Sequence, residues 1–260
     1  MARIAKMPRR LPELFKGLAR IRNWPYVIPT YAGLRRHDPQ RHFITRSGIR
    51  LRIPTPHDLV TAWVILVRDE YPIPAGCRTV LDVGANIGAF SCLVCRLCPQ
   101  AEVIAVEPVP STYRVLLENV AINGMSGRIT LVPSGLAAES GRKVIYVSDV
   151  SAFSSMFRSP GRADQPLEIE TRSLRDLLDV FCKKYPEGCD LLKLDCEGAE
   201  HEAILASSAE DLRRIRHIVM EYHPVAPLQP TLEHLLACGF SIVRHDPHGR
   251  DLGAIHLERR

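Results

Sequence analysis

From Thr79 onward, short apolar runs of strand length alternate with longer stretches of helical spacing. Thr79 to Leu81, Val103 to Val106, Ile129 to Val132, Asp190 to Leu194 and Ile215 to Met220 are nearly continuous apolar runs. That is the pattern of parallel strands buried on both faces. Between them, Ser111 to Asn123 turns Val115, Leu116 and Val120 to one side, and Leu174 to Phe181 and Thr231 to Cys238 also have helical spacing. Lys143 to Val147 and Leu167 to Thr171 read as added short strands. Ser241 to Arg244 and Ala254 to Leu257 read as a final antiparallel pair. Ser151 to Asp164, rich in Ser, Gly and Pro, reads as a mobile loop. The alternation predicts an α/β fold with helices on both faces of one sheet.

The first part of the chain lacks this rhythm. Leu11, Leu14, Phe15 and Leu18 have helical spacing, and Ile21, Trp24, Tyr26 and Val27 follow in a Pro-containing stretch. Residues 1–41 read as a loosely ordered or short-helical arm ahead of a domain spanning 42–260. Arg41 to Ile53 alternates and contains Ser-Gly, so it predicts a hairpin. His57 to Tyr71 predicts a helix with Leu59, Ala62, Trp63, Leu66 and Val67 on one face, stopped by Pro72 and Pro74.

Charge sharpens that division. Of 34 Lys+Arg and 29 Asp+Glu, 12 and two respectively lie in residues 1–50, so the remainder is net acidic. A basic leader suits an anionic lipid surface, nucleic acid, an acidic partner, or the acidic domain behind it. Hydrophobic residues at 46% and charged residues at 24% are those of a globular protein. The absence of a signal-like apolar core predicts a cytoplasmic protein. Its eight cysteines are then expected as free thiols. Cys92, Cys95 and Cys98 have part of an iron–sulfur spacing, but they fall on a predicted helix, where Cys packs as a small apolar residue.

The chemistry gathers at predicted strand ends. Thr79 to Leu81 runs into Asp82, Gly84, Asn86 and Gly88 and then a helix. A strand, a tight glycine turn and a helix make a nucleotide site, because the helix start offers unpaired N–H groups. The spacing is G-x-N-x-G rather than the dinucleotide G-x-G-x-x-G. S-adenosylmethionine (SAM) carries an ammonium and a carboxylate in place of phosphates. An acid at the strand end suits the first and backbone N–H groups suit the second. Glu107 ends the next strand, where a carboxylate accepts both hydrogen bonds of a ribose diol. Lys193 lies inside an apolar strand and requires an acidic partner, with Asp195, Glu197 and Glu221 the candidates. His223 has the ordinary pKa of a general base for a hydroxyl. Asp195, Glu197 and Glu221 could also gather round a magnesium ion, but ordinary paired carboxylates, with no metal, are the expectation.

The motifs VLDVGANIGAFS, VIAVEPVPSTYRVLLENVAIN, LLKLDCEGAEHEAI and IVMEYHP, in that order, resemble the FkbM-type family of SAM-dependent methyltransferases. The lead-in FITRSGIRLRIPTPHDLVTAW…DEY belongs to the same resemblance, which spans roughly residues 42–224. It implies a class I, Rossmann-like methyltransferase sheet of seven strands with an antiparallel closing pair, here behind an N-terminal extension. It implies SAM as cofactor and O-methylation of a hydroxyl on a sugar, polyketide or other small metabolite. By this resemblance Asp82, Gly84, Asn86 and Gly88 hold the methionine part, Glu107 the ribose, and Ser134 to Leu136 the adenine. Asp195, Glu197 and Glu221 surround the reacting hydroxyl. We expect Asp195 or His223 to handle the proton, with Lys193 and Glu197 fixing geometry. The alternatives are a non-catalytic SAM- or partner-binding module and an NAD-linked oxidoreductase. Nucleic acid is disfavoured as a substrate, because no D/N-P-P-Y/F motif follows the fourth strand.

Overall fold

Two helices, α1 (Leu11–Arg20) and α2 (Trp24–Tyr31), open the computed structural model, which describes residues 11–147, 165–249 and 251–259. An antiparallel hairpin follows, β1 (His42–Ile44) and β2 (Arg50–Arg52). Next comes α3 (Pro56–Trp63), which continues through a π-helical turn, Val64–Arg68, and ends at a left-handed Asp69. A reciprocal capping box between Thr55 and Asp58 starts α3.

The described part of the expected loose arm is packed. Ile21 and Val27 are fully buried in one core with Phe43, Leu51 and Trp63. Tyr31 stacks on Trp63 with ring centroids 4.3 Å apart. Trp63 Nε1 and Arg68 Nε both donate to Glu13, while Lys16 and Arg20 pair with Asp69. Part of the N-terminal basic charge is therefore answered by an acid of the same chain. Periodicity reveals the helix, but its docking depends on side chains some fifty residues away.

The remaining elements are β3 (Thr79–Val83), α4 (Ala89–Leu97), β4 (Glu102–Val106), α5 (Pro110–Ile122), β5 (Ile129–Val132), β6 (Gly135–Leu136), β7 (Gly141–Val147), β8 (Gln165–Arg172), α6 (Leu174–Lys184), β9 (Cys189–Leu194), α7 (Ala199–Ala206), α8 (Ala209–Leu212), β10 (Ile215–Tyr222), α9 (Leu228–Ala237), β11 (Phe240–Gly249) and β12 (Leu252–Arg259). Seven strands form one sheet in the order β11-β12-β10-β9-β3-β4-β5. The strands β10-β9-β3-β4-β5 are parallel, and β12 and β11 close the edge antiparallel. This is the class I methyltransferase sheet that the resemblance implies. The added strands do not join it: β6, β8 and β7 make a separate three-stranded sheet. The expected loop Ser151 to Asp164 lies outside the described residues.

Alternation along the strands sorts the core. Leu81, Val83, Ile104, Val106, Leu192 and Leu194 pack on one face. Val80, Val103, Ala105, Leu191 and Val219 pack on the other, beneath the N-terminal helices. Asp82 and Lys193 share this second face and stand opposite each other in the β3–β9 register. All eight cysteines are free. Burial pushes the Cys92 and Cys95 thiols up to about 12 and about 11, so as free thiols they sit in the core as neutral apolar groups. Among the described residues no helix is long and apolar enough to cross a membrane.

One helix treats the hairpin as a strand would. Asn119 Oδ1 accepts the Arg52 N–H at 2.6 Å, and its Nδ2 donates to Ile87 O at 2.8 Å and Arg52 O at 3.3 Å. One turn later Asn123 makes the same paired contacts with Arg50 at 2.9 and 2.7 Å. Asn119 is fully buried, so Asn119→Ala strands backbone groups that water does not reach. We expect a loss of about 3 kcal/mol for Asn119→Ala and about 1 kcal/mol for the more exposed Asn123→Ala. For Asn119→Ala that lowers the midpoint by roughly 6–12 °C in thermal unfolding. Equal, small shifts in the two variants would contradict the assignment.

Candidate functional site

The turn after β3 is built on two left-handed glycines and a left-handed asparagine: Gly84 at φ 76, Asn86 at φ 50 and Gly88 at φ 83. Gly84 is required by contact as well as angle, since a Cβ there would stand 1.8 Å from the carbonyl oxygen of Asp195. The turns after β3 and β9 thus meet backbone to backbone. Gly88 serves packing. It caps α4, and a Cβ would meet Leu116 of α5 at 2.5 Å. The N–H groups of Gly84 and Ala85 both donate to Val106 O, at 3.0 and 2.9 Å. They are therefore not the open donors that the motif suggests.

A cavity of about 110 Å³ lies over this turn, lined by Gly84, Asn86, Glu107, Ser134 and Leu136. Five of the expected cofactor contacts thus converge. Ile145 of β7 and Ile169 of β8 complete its wall. The sequence pattern could not place these two, because they arrive through the separate small sheet. Glu107 is nearly buried, and its two carboxylate oxygens accept the N–H groups of Asn86 and Val109, both at 3.0 Å. Burial pushes its pKa up to about 7 against those two bonds. Ser134 Oγ is buried and finds no hydrogen-bond partner among the described residues. A buried hydroxyl left open in a cavity wall fits a ligand that brings its own polar atom.

Asp82 and Lys193 line neither cavity described here. Asp82 is fully buried, with Oδ2 accepting from Ser91 at 2.6 Å and Oδ1 3.3 Å from Lys193 Nζ. Its expected contact with a SAM ammonium is therefore replaced by one with a lysine ammonium behind the wall. Lys193 is likewise buried. It donates to Gly84 O at 2.7 Å and lies 3.7 Å from Asp195. Burial pushes its pKa down, but Asp82 and Asp195 outweigh that and raise it, so the charge is kept. Of the expected partners only Asp195 is near, and Asp82 is nearer. The register across β3 and β9 decides this.

A second, larger cavity of about 780 Å³ opens beside the first. Asp195 and Glu197, together with Thr61 of α3, line both. Glu221 and His223 line only the larger one. The residue that sequence reasoning missed is Tyr71, which also lines it. Its hydroxyl lies 3.0 Å from Asp195 Oδ2 and 2.6 Å from Glu221 Oε2. A phenol has one proton, so it cannot donate to two carboxylates at once. The second contact needs a proton on a carboxyl, and burial followed by the Asp195 charge pushes Glu221 up to about 7. The signal for Tyr71 was its place in the DEY lead-in, just ahead of Pro72.

His223 has a fixed ring. Its Nδ1 is 2.9 Å from Glu200 Oε1, and the fully buried Glu200 also accepts the backbone N–H groups of Gly198 and His223. Burial alone would lower the histidine, but Glu200 and then Glu197 push it up to about 10. That shift favours the protonated ring, which weighs against the general-base role expected of His223. Glu197 Oε2 lies 3.6 Å from His223 Nε2, and burial raises Glu197 to about 8. Glu197 also occupies the left-handed region at φ 53.

The Methyltransferase FkbM domain model matches residues 82–242, more than half of the chain. The methyltransferase sdnD of Sordaria araneosa is 30% identical over 195 residues, which covers 64% of this chain and 74% of that protein. The 31-O-demethyl-FK506 methyltransferase FkbM of Streptomyces tacrolimicus is 29% identical over 195 residues, covering 65% and 75%. Among solved structures, Aeropyrum pernix fibrillarin with bound SAM has a TM-score of 0.43 at 18% identity, covering 76% of this chain and 73% of its own. That likeness is too remote to bear on activity. The family match sets aside the NAD-linked alternative. With its motifs assembled on the sheet described above, the chain belongs to the FkbM family of SAM-dependent methyltransferases.

Proposed function

We propose that this methyltransferase methylates a hydroxyl oxygen of a small metabolite held in the larger cavity. The observation that carries the reading is the position of Asp195: its carboxylate belongs to both cavities and is oriented by Tyr71. When bound, SAM supplies an electrophilic methyl group on a sulfonium. Glu107 would accept the ribose hydroxyls, Ser134 Oγ would meet the adenine edge, and Leu136, Ile145 and Ile169 would enclose its ring. Transfer of that methyl to the acceptor oxygen would leave the electron pair of the broken carbon–sulfur bond on sulfur. The hydroxyl proton passes to Asp195. Aligning the two reactants and removing that proton are what the protein contributes. With the proton of the Tyr71–Glu221 contact on Glu221, Tyr71 donates to Asp195 and leaves it the ionised acceptor for this proton.

Lining charge supports a small neutral acceptor. The larger cavity presents Glu70, Asp195, Glu197, Glu221 and Asp246 against Arg68, Arg244 and His223. Both arginines have acidic neighbours, Arg68 on Glu13 and Arg244 on Asp246. A polyanion would meet repulsion here, whereas a polyol or polyketide hydroxyl would not. The curated relative from Streptomyces tacrolimicus, named for 31-O-demethyl-FK506, is in keeping with such a substrate.

Methyl-labelled SAM incubated with a panel of hydroxylated metabolites tests the reading. An O-methyl product by mass and carbon resonance is expected, while label on nitrogen or carbon would overturn it. With a working acceptor, Tyr71→Phe should lower kcat by about 10²-fold and leave SAM affinity within about twofold. An equal loss in both would mean that Tyr71 is merely structural.

Glu107 yields a pH prediction. Its pKa is raised to about 7, and the ionised form is the better acceptor for a diol. SAM affinity should therefore fall as pH drops through about 7 and level off above it, with proton release on binding near pH 6.5. Calorimetry in buffers of different ionisation enthalpy reads both effects, and Glu107→Gln should flatten the profile. A wild-type affinity unchanged between pH 6 and 8 would refute the role.

A further inference from the structure

We infer that Asp195, Glu197 and His223 form a binding site for a divalent metal ion at the junction of the two cavities. One ligand atom from each lies within 4.8 Å of the others. Ligands about 2.1 Å from a common ion stand at most about 4.2 Å apart, so small side-chain rotations would close this set on an ion. The sequence had suggested a different trio, Asp195, Glu197 and Glu221. Glu221 instead hydrogen-bonds with Tyr71, and the histidine takes its place.

The histidine supplies the independent argument. It is 9% exposed and lines the larger cavity. Glu200 anchors it at Nδ1, and Glu200 is itself fixed by two backbone N–H groups. At Nε2, Glu197 Oε2 stands 3.6 Å away, beyond hydrogen-bond reach. A buried imidazole held by a carboxylate at one nitrogen, with a second carboxylate beside the other, has the form of a metal ligand with its outer partner.

Charge points the same way. Asp82, Asp195, Glu197, Glu200 and Glu221 gather here around Lys193 and His223. A dication that displaces the His223 proton adds to the positive charge facing these carboxylates. Two carboxylates and an imidazole, with no thiolate in the set, suit Mn²⁺ or Mg²⁺ better than a thiophilic ion. The ion would face the acceptor and lower the pKa of its hydroxyl. That role rests on the O-methyl transfer reading, but the binding itself does not.

Calorimetric titration of chelator-treated protein with Mn²⁺, and separately with SAM, tests the site. One Mn²⁺ per chain is expected. His223→Ala and Glu197→Gln should each weaken it at least tenfold, and Glu233→Gln on the exposed side of α9 should not. Glu197 is the more exposed of the two, so its variant tests the site even where loss of the buried ring impairs folding. Absence of saturable Mn²⁺ and Mg²⁺ binding, or equal binding in both variants, would overturn the proposal. SAM binding without Mn²⁺ binding would remove the ion and leave the methyl-transfer reading standing. Mn²⁺ binding without SAM binding would do the reverse.

Discussion

The buried pair of Asp82 and Lys193 is the interaction on which this active centre depends. Both side chains are removed from water in the middle of a parallel sheet, and each is tolerable only because the other is there. Removing one partner of such a pair typically leaves an uncompensated charge costing about 3–5 kcal/mol. The pair fixes more than charge. Lys193 also donates to the carbonyl of Gly84, so the lysine of one strand holds the turn that leaves its neighbour. Gly84 then meets the backbone of Asp195, and the two turns lock tip to tip. The seam between the smaller and the larger cavity lies at this contact, so a structural ion pair places the Asp195 carboxylate that lines both.

The N-terminal helices belong to the same argument. Thr61 of α3 lines both cavities, and Tyr71 follows the π-helical turn that ends this helix. Tyr71 comes under the sheet face that carries Asp82, Lys193, Asp195 and Glu221. Those four positions share a face because strand side chains alternate. The helices before the hairpin are pinned to α3 through Glu13, Trp63 and the stacked Tyr31. What looks like an extension in charge and composition is thus the backing of one wall of the larger cavity.

The parts of this design legible in the sequence were those with local signatures. Strand runs, turn glycines and the acids at strand ends depend on neighbours within a few residues, and Glu107, Ser134 and Leu136 came to one cavity as expected. The misplacements share a cause in long-range register. Asp82 reads as a ligand contact until β9 is laid beside β3 and brings Lys193 opposite it. His223 reads as a base until Glu200 is found at its Nδ1. Tyr71 reads as a helix end until the sheet brings Asp195 and Glu221 to its hydroxyl. No periodicity encodes such meetings, because they depend on which strand lies next to which.

Backbone strain at the seam supports the view of a preformed site. Asn86 and Glu197, one in each of the two turns, both occupy the left-handed region. Asparagine tolerates that region because its short side chain bonds locally, and Asn86 Oδ1 accepts the next N–H at 2.6 Å. Glutamate is not among the residues that favour this region, so its conformation costs of order 1 kcal/mol and persists only where the surroundings over-determine it. Here they do. The peptide before it is fixed against Gly84, the N–H of Gly198 after it is held by Glu200, and the same Glu200 orients His223. One buried carboxylate therefore sets both the strained glutamate and the histidine that faces it. That is the behaviour expected where charged groups must be in position before the substrate arrives, rather than gathered by it.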